Sequence, residues 1–158
     1  KRLSYHEQRE WEQIEAAILL LLEIEKTVAE GAGAAALAAV LAHRAIFARR
    51  RVGIVISGGN IDMLVLAHVI ERGLARTERL ARVVVRIRDV PGALAAVTSA
   101  IASAGANVVE VLHERAFARG PAGEAEVEFV LETRGAAHLR EILAQLGAMG
   151  HVARAEPR

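Results

Sequence analysis

The spacing of apolar positions changes partway along this chain, and the change divides it in two. In the first part the spacing is helical. Trp11, Ile14, Ile18, Leu21 and Leu22 fall on one side of a helix predicted over residues 10–26. Leu19, Leu20 and Ile24 widen that stripe until the helix is apolar most of the way round, so it calls for partners on more than one side. Thr27 to Gly33 interrupts the pattern, and the Ala-rich segment from Ala34 to Ala48 predicts a second, slim helix. A β-branched run, Val52 to Ile56, predicts a strand. It stops at Ser57-Gly58-Gly59-Asn60 and opens into a third helix, with Leu64, Ala67, His68 and Glu71 at helical spacing, ending near Gly73. A lone strand requires sheet neighbours. Ala75 to Arg79 is polar and reads as a linker.

Beyond the linker the period becomes two. Val83, Val85 and Ile87 alternate with Arg82, Arg86 and Arg88 in a predicted strand. Asp89-Val90-Pro91-Gly92 turns the chain, and Leu94, Val97, Ile101 and Ala104 mark a helix that stops at Gly105. Asn107 to Arg115 reads as a second strand and residues 120–123 as a turn. Ala125, Val127, Phe129 and Leu131 alternate with Glu124, Glu126, Glu128 and Glu132 in the clearest half-buried strand. Leu139, Ile142, Leu143 and Leu146 predict the last helix, and residues 151–156 the last strand. The order β-α-β-β-α-β predicts the ferredoxin-like split unit, two helices over one face of a four-stranded antiparallel sheet. The fold class expected is thus α/β followed by α+β.

Composition narrows the chemistry. Hydrophobic residues make up 53% and aromatics only 3%, so the core must be built from closely packed Ala, Val, Leu and Ile. The net charge of +1 gives no electrostatic reason to expect nucleic acid or an anionic membrane as partner. The apolar run at Leu19–Leu22 is bracketed by charges and too short to span a bilayer. There is no cysteine, which excludes thiolate chemistry and fits a cytoplasmic setting. The six histidines show no metal-ligand spacing, and none stands in a recognisable triad. The Arg49-Arg50-Arg51 run reads as a solvated turn.

Two segments carry candidate sites. At Ser57-Gly58-Gly59-Asn60 the glycines allow close backbone approach, and the amides of the following helix are expected to face a ligand unpaired. Ser57 would equally serve as the helix N-cap. At Asp89-Val90-Pro91-Gly92, Pro91 fixes φ and Gly92 permits close approach, so the next helical turn can offer amides to a carboxylate. The same residues also suit a plain strand-to-helix connection. Asn107 is expected near that turn.

The stretch Arg88-Asp89-Val90-Pro91-Gly92-Ala93-Leu94 with Gly105-Ala106-Asn107-Val108 resembles the ACT domain, a small-molecule regulatory module. That resemblance implies an amino-acid effector site at Asp89, Pro91, Gly92 and Asn107, and pairing of ACT domains into a homo-oligomer. The segments Glu25 to Ala34, Val55 to Asp62 and Val69 to Leu74 resemble, in that order, the C-terminal end of the pyridoxal-phosphate-dependent threonine ammonia-lyases (threonine dehydratases). The chain is then read as residues 1–77, a partial catalytic domain of the fold-type II class with its linker, and residues 78–158, the ACT domain. The resemblance implies pyridoxal phosphate as cofactor, with Ser57 facing its pyridine nitrogen, Gly58, Gly59 and Asn60 shaping the adjoining wall, and Glu30 near the ring. A neutral hydroxyl there leaves the nitrogen largely unprotonated, which suits water elimination from a hydroxy amino acid. Glu30 could as well complement the dipole of the Ala-rich helix.

The family's Schiff-base lysine motif and long phosphate-binding loop are not in this sequence, whose lysines are Lys1 and Lys26. No catalytic residue and no metal ligand is therefore assigned. The family function implied is conversion of L-threonine to 2-oxobutanoate and ammonia, toward isoleucine, with this chain supplying regulation and one pocket wall. The alternative is a free-standing ACT-type amino-acid sensor or interaction module without catalysis.

Overall fold

The structure, a computed structural model, describes residues 5–114 and 123–156. The chain divides into two compact units, residues 1–73 and 74–158, the division falling within one helix.

The first unit is helical. Helix α1 (Tyr5–Glu23) packs on α2 (Gly31–Ala42), and a short α3 (Arg44–Phe47) follows. Ala17, Ile18 and Leu21 of α1 and Ala34 and Ala38 of α2 are buried together with Ala29, Ile61 and Val69. Small side chains on α2 let the two backbones come close, which is what the Ala-rich stretch supplies. Helix α1 stops at Glu23, and Lys26 turns back with φ +54° so that its Nζ donates to the Glu23 carbonyl at 2.6 Å. The single predicted helix over 34–48 is two helices, broken at His43 (φ −118°, ψ 41°). Helix α4 (Met63–Arg76) carries Val69 into this core, and the Glu15 carboxylate meets Arg72 at 3.3 Å.

The strand predicted at Val52–Ile56 does not form. A strand exists only by pairing, and the described residues of this unit offer it no partner. Val52, Val55 and Ile56 are left exposed, Val55 at 81%. The polar stretch read as a linker at 75–79 is also shorter than expected, because α4 continues to Arg76.

The second unit has β1 (Leu80–Arg88), α5 (Ala93–Ser103), β2 (Asn107–Glu114), β3 (Glu124–Glu132), α6 (Ala136–Ala148) and β4 (Val152–Ala155). The strand order is β2-β3-β1-β4 with every neighbour antiparallel, the ferredoxin-like arrangement expected from the sequence. The turn predicted at 120–123 lies outside the described residues except for Gly123. In register, Val83 opposes Phe129, and Val85 opposes Val127 and Ala153. These side chains join Val97 and Ile101 of α5 and Leu139, Ile142 and Leu146 of α6 in one core. His138 is buried at the margin of this core. Its Nδ1 accepts from the Arg134 N–H at 3.0 Å, so Nε2 carries the proton given to the Ala104 carbonyl at 2.8 Å. The ring thereby ties the entry of α6 to the end of α5.

The other sheet face is a lattice of opposite charges. Arg82 meets Glu128 at 2.9 Å, Arg86 meets Glu126 at 3.5 Å, and Arg154 meets Glu126 at 3.3 Å. The hydrogen bond from Arg154 holds the Glu126 carboxyl below the usual glutamate range, the charges of Arg154 and Arg86 adding to it and partial burial opposing. A carboxyl depressed in the folded state adds stability above its unfolded pKa, and that stability is lost as pH falls through the folded value. Because the group is close to solvent, the effect is small, about 0.2–1 kcal/mol. Glu126→Gln should lower stability by that amount at neutral pH, and thermal melts of the two proteins should converge in acid. Equal melts at neutral pH would show that the lattice contributes nothing there.

Candidate functional site

Two regions hold the residues singled out from the sequence, one in each unit. In the first, the segment 28–33 lies against the loop 57–59. The Glu30 N–H donates to the Gly58 carbonyl at 3.1 Å, and the Glu30 carboxylate lies directly over the Gly58 Cα. A Cβ on Gly59 would stand 3.0 Å from the Val28 carbonyl oxygen. Glu30, Gly58 and Gly59, distant in sequence, are thus brought together, with Ser57 and Asn60 beside them. Residues Ser57 to Asn60 are all exposed, forming an open wall and not an enclosed pocket. Glu30 occupies the N-cap position of α2 but makes no side-chain cap bond, because its side chain is turned toward Gly58.

Two expectations about this loop are corrected. Helix α4 begins at Met63, and its cap is Asp62, whose Oδ1 accepts from Leu64 N–H at 2.9 Å and Val65 N–H at 3.2 Å. Ser57 is therefore not the N-cap, and two of the first amides of α4 are already occupied. A carboxylate placed one residue before a helix is a better acceptor for those amides than a hydroxyl six residues before it.

Pyridoxal phosphate would need a lysine, a phosphate-binding loop and a wall for its ring. The exposed Ser57 to Asn60 wall with a carboxylate beside it fits the ring side. The lysine requirement is not met within the described residues, where Lys26 is the one lysine and is held at the end of α1. Among the described residues, then, none supplies a Schiff-base nitrogen.

In the second unit the turn after β1 leaves Asp89, Pro91 and Gly92 exposed at one end of the sheet. The Asp89 N–H donates to the Gly123 carbonyl at 2.8 Å. Gly92 has φ +87° and is the N-cap of α5, with no side-chain cap bond, and the Ala93 N–H donates to the Val90 carbonyl at 3.2 Å. A Cβ at Gly92 would meet nothing within 4 Å, so there is open space above the turn.

Asn107 is not near that turn. Strands β1 and β2 run in the same direction, each antiparallel to β3, and Asn107 and Leu80 both stand opposite Glu132. Asn107 therefore lies at the start of β1 and Gly92 beyond its end, about 25–30 Å apart along the strands. The Asn107 Nδ2 donates to Glu132 Oε2 at 3.0 Å, which leaves its Oδ1 as an acceptor. In the sequence Glu132 reads only as an outward-facing strand position, because only the strand register puts it beside Asn107.

Strand β2 is a sheet edge, and Val109, Val111 and Leu112 on it are 55%, 41% and 49% exposed. An apolar open edge of this kind offers pairing to a further strand. Among the described residues no group of three or more His, Cys, Asp or Glu is placed to hold a metal, and no helix is long and apolar enough to cross a membrane.

Comparison with known proteins bears on both regions. Residues 81–148 match the ACT domain family. The chain is 41% identical over 143 residues to an L-threonine ammonia-lyase of Geobacter sulfurreducens, covering 90% of this chain and 36% of that protein. It is 43% identical over 143 residues to an L-threonine ammonia-lyase of Thermotoga maritima, covering 90% of this chain and 35% of that one. The chain thus spans about a third of the length of these relatives. A formyltetrahydrofolate deformylase from Pseudomonas putida overlays with a TM-score of 0.36 at 12% identity, over 50% of this chain and 29% of that one, too slight a likeness to argue from.

Proposed function

We propose that this chain, an ACT domain preceded by a helical unit, is the C-terminal part of a pyridoxal-phosphate-dependent threonine ammonia-lyase. In this reading residues 78–158 sense an amino acid, and residues 1–77 contribute one wall of the cofactor pocket. The observation that carries it is the extent of the likeness. A match of 143 residues cannot be contained within residues 81–148, so identity to the lyases runs well into the first unit. An ACT domain alone would explain only the second. The reaction is elimination of water from L-threonine, ending in 2-oxobutanoate and ammonia. Bound pyridoxal phosphate would supply the electron sink for it. The residues of this chain would do less: the Ser57 hydroxyl would face the ring nitrogen, and Gly58, Gly59, Asn60 and Glu30 would line the space beside it.

The regulatory half of the proposal needs two copies. If two β2 edges pair antiparallel, the start of one β2 comes to the end of the other. The partner copy's Asn107 would then approach the Asp89–Gly92 turn that its own chain holds far away. Amides of the first turn of α5 other than that of Ala93, which donates to the Val90 carbonyl, would take the carboxylate of an amino acid, and the Asn107 Oδ1 would accept from its ammonium group.

A spectroscopic experiment tests the catalytic half. Pyridoxal phosphate added to this chain should give no stable aldimine absorbance band and no threonine turnover. The full-length gene product should show both. A stable band with this chain, abolished by Lys26→Ala, would show that the chain carries its own Schiff-base lysine and would overturn the proposal.

A further inference from the structure

We propose that Gly33 is a positioning residue for Ser57, a role that rests on the reading of Ser57 as the hydroxyl facing the cofactor ring. Gly33 lies in the first turn of α2 and is buried. A methyl group placed on it would overlap the Ser57 carbonyl oxygen, and would lie 2.8 Å from the Gly58 carbonyl oxygen and 3.0 Å from the Ser57 carbonyl carbon. All three are backbone atoms. They have no free end to swing aside, so a larger residue at 33 must push the peptide at 57–58 away from α2.

The rest of the neighbourhood points the same way. The Glu30 N–H bond to the Gly58 carbonyl and the Val28 carbonyl beside Gly59 hold the loop from the same short segment. The first turn of a helix presents unpaired amides and the positive end of the helix dipole, a favourable field for the two carbonyl oxygens aimed at it. Glycine is a poor helix former, and α2 is otherwise alanine, leucine and valine apart from Gly31. Gly31 is the useful contrast: a Cβ there would meet only the Ile14 and Trp11 side chains, at 3.6 and 4.0 Å, both ordinary contacts. With its carbonyl fixed against Gly33, Ser57 has one end of its backbone set, and with it the point from which its side chain departs.

Gly33→Ala and Gly31→Ala, compared by triple-resonance NMR on this chain, test the claim. Gly33→Ala should shift the Ser57 carbonyl and Gly58 amide resonances, Gly31→Ala should leave them in place, and signals from the ACT sheet should stay put in both. Unmoved Ser57 and Gly58 resonances in Gly33→Ala overturn the proposal. If that variant leaves the first unit unfolded, hydrogen exchange on the unaltered chain decides: a Glu30 amide bonded to Gly58 exchanges slowly, and exchange at the open-chain rate overturns the clamp. The cofactor reading is separable. In the full-length gene product loaded with ring-labelled pyridoxal phosphate, Gly33→Ala should move the ring ¹⁵N resonance in the same direction as Ser57→Ala and weaken cofactor binding about tenfold. A ring nitrogen unmoved by both substitutions, with the Ser57 carbonyl still displaced by Gly33→Ala, would reject Ser57 as the ring-facing residue and uphold the hold of Gly33 on the loop.

Discussion

Mixing Gly92→Asp chains with Asn107→Ala chains should restore amino-acid binding that neither variant has alone. The reasoning is geometric. Gly92 and Asn107 lie at opposite ends of the sheet within one copy, so a site that uses both must take one from each partner. Gly92→Asp breaks both sites of its own dimer, and Asn107→Ala breaks both sites of its own. A mixed dimer holds one site with both substitutions and one with neither. Random pairing makes about half the dimers mixed, so about a quarter of the wild-type binding capacity should return, at wild-type affinity.

The substitutions are chosen for small structural cost. Gly92 has φ +87°, a conformation that Asp tolerates better than most residues, and the space around it is open. The new carboxylate would sit where the carboxylate of the effector is proposed to lie, and repel it. Asn107 is exposed at the start of β2, so Ala removes an acceptor without opening a core. Each loss should cost about 1–3 kcal/mol of binding free energy, roughly tenfold to a hundredfold in affinity. Calorimetry with isoleucine, valine and threonine reads the outcome. A mixture that binds no better than its components would mean that the effector site, if there is one, lies within a single copy. No heat with the unaltered chain and any of the three would remove the effector reading itself.

The ACT sheet was legible in the sequence because each of its strands carries its own signal. Alternation at Val83, Val85 and Ile87 and at Val127, Phe129 and Leu131 states which face is buried without reference to any neighbour. Gly92 and Gly105, at φ +87° and +82°, mark the two ends of α5. What was not legible depends on partners. Val52 to Ile56 has the composition of a strand and would be one beside another, but composition cannot provide the second strand. The break at His43 falls in a stretch with no Gly or Pro to announce it. Helix α1 begins at Tyr5 and not at residue 10, because its polar first turns carry no apolar stripe.

The sites follow the same division. The family resemblance implied Glu30 beside Ser57 to Asn60, and the backbone bond from Glu30 to Gly58 makes the two segments neighbours in this chain without bearing on what they bind. Asn107 was misplaced because nearness in sequence to the end of α5 says nothing about which end of the sheet the chain has reached. Strand direction decides that, and direction follows from pairing. Gly33 was passed over for a related reason: its significance is the Ser57 carbonyl above it, some two dozen residues away.

Replacing Phe129 by Ala should unfold a measurable fraction of the ACT sheet under native conditions. Phe129 is fully buried in the middle of β3, opposite Val83 on one side and Val111 on the other. Among the described residues it is the one aromatic in a core otherwise made of Ala, Val, Leu and Ile. Those neighbours are short, and they stand on strands and helices fixed by their own hydrogen bonds, so the cavity would collapse only in part. Phenylalanine-to-alanine changes in such positions cost about 3–5 kcal/mol, against a total of about 5–15 kcal/mol for a domain. Amide exchange at Val83, Val85 and Val127 should accelerate by about two to three and a half orders of magnitude if it proceeds through global opening. Val130→Ala is the matched comparison. Val130 is the next residue in the same strand but points to the charged face and is only half-buried, so its loss should cost about 1 kcal/mol or less. The contrast between adjacent residues tests the register itself, since a slip of one would exchange the two side chains between core and solvent. Equal costs for the two substitutions would mean that β3 does not present Phe129 to the helices. The end-to-end separation of Gly92 and Asn107, and the two-copy effector site drawn from it, depend on that same pairing and would have to be withdrawn with it.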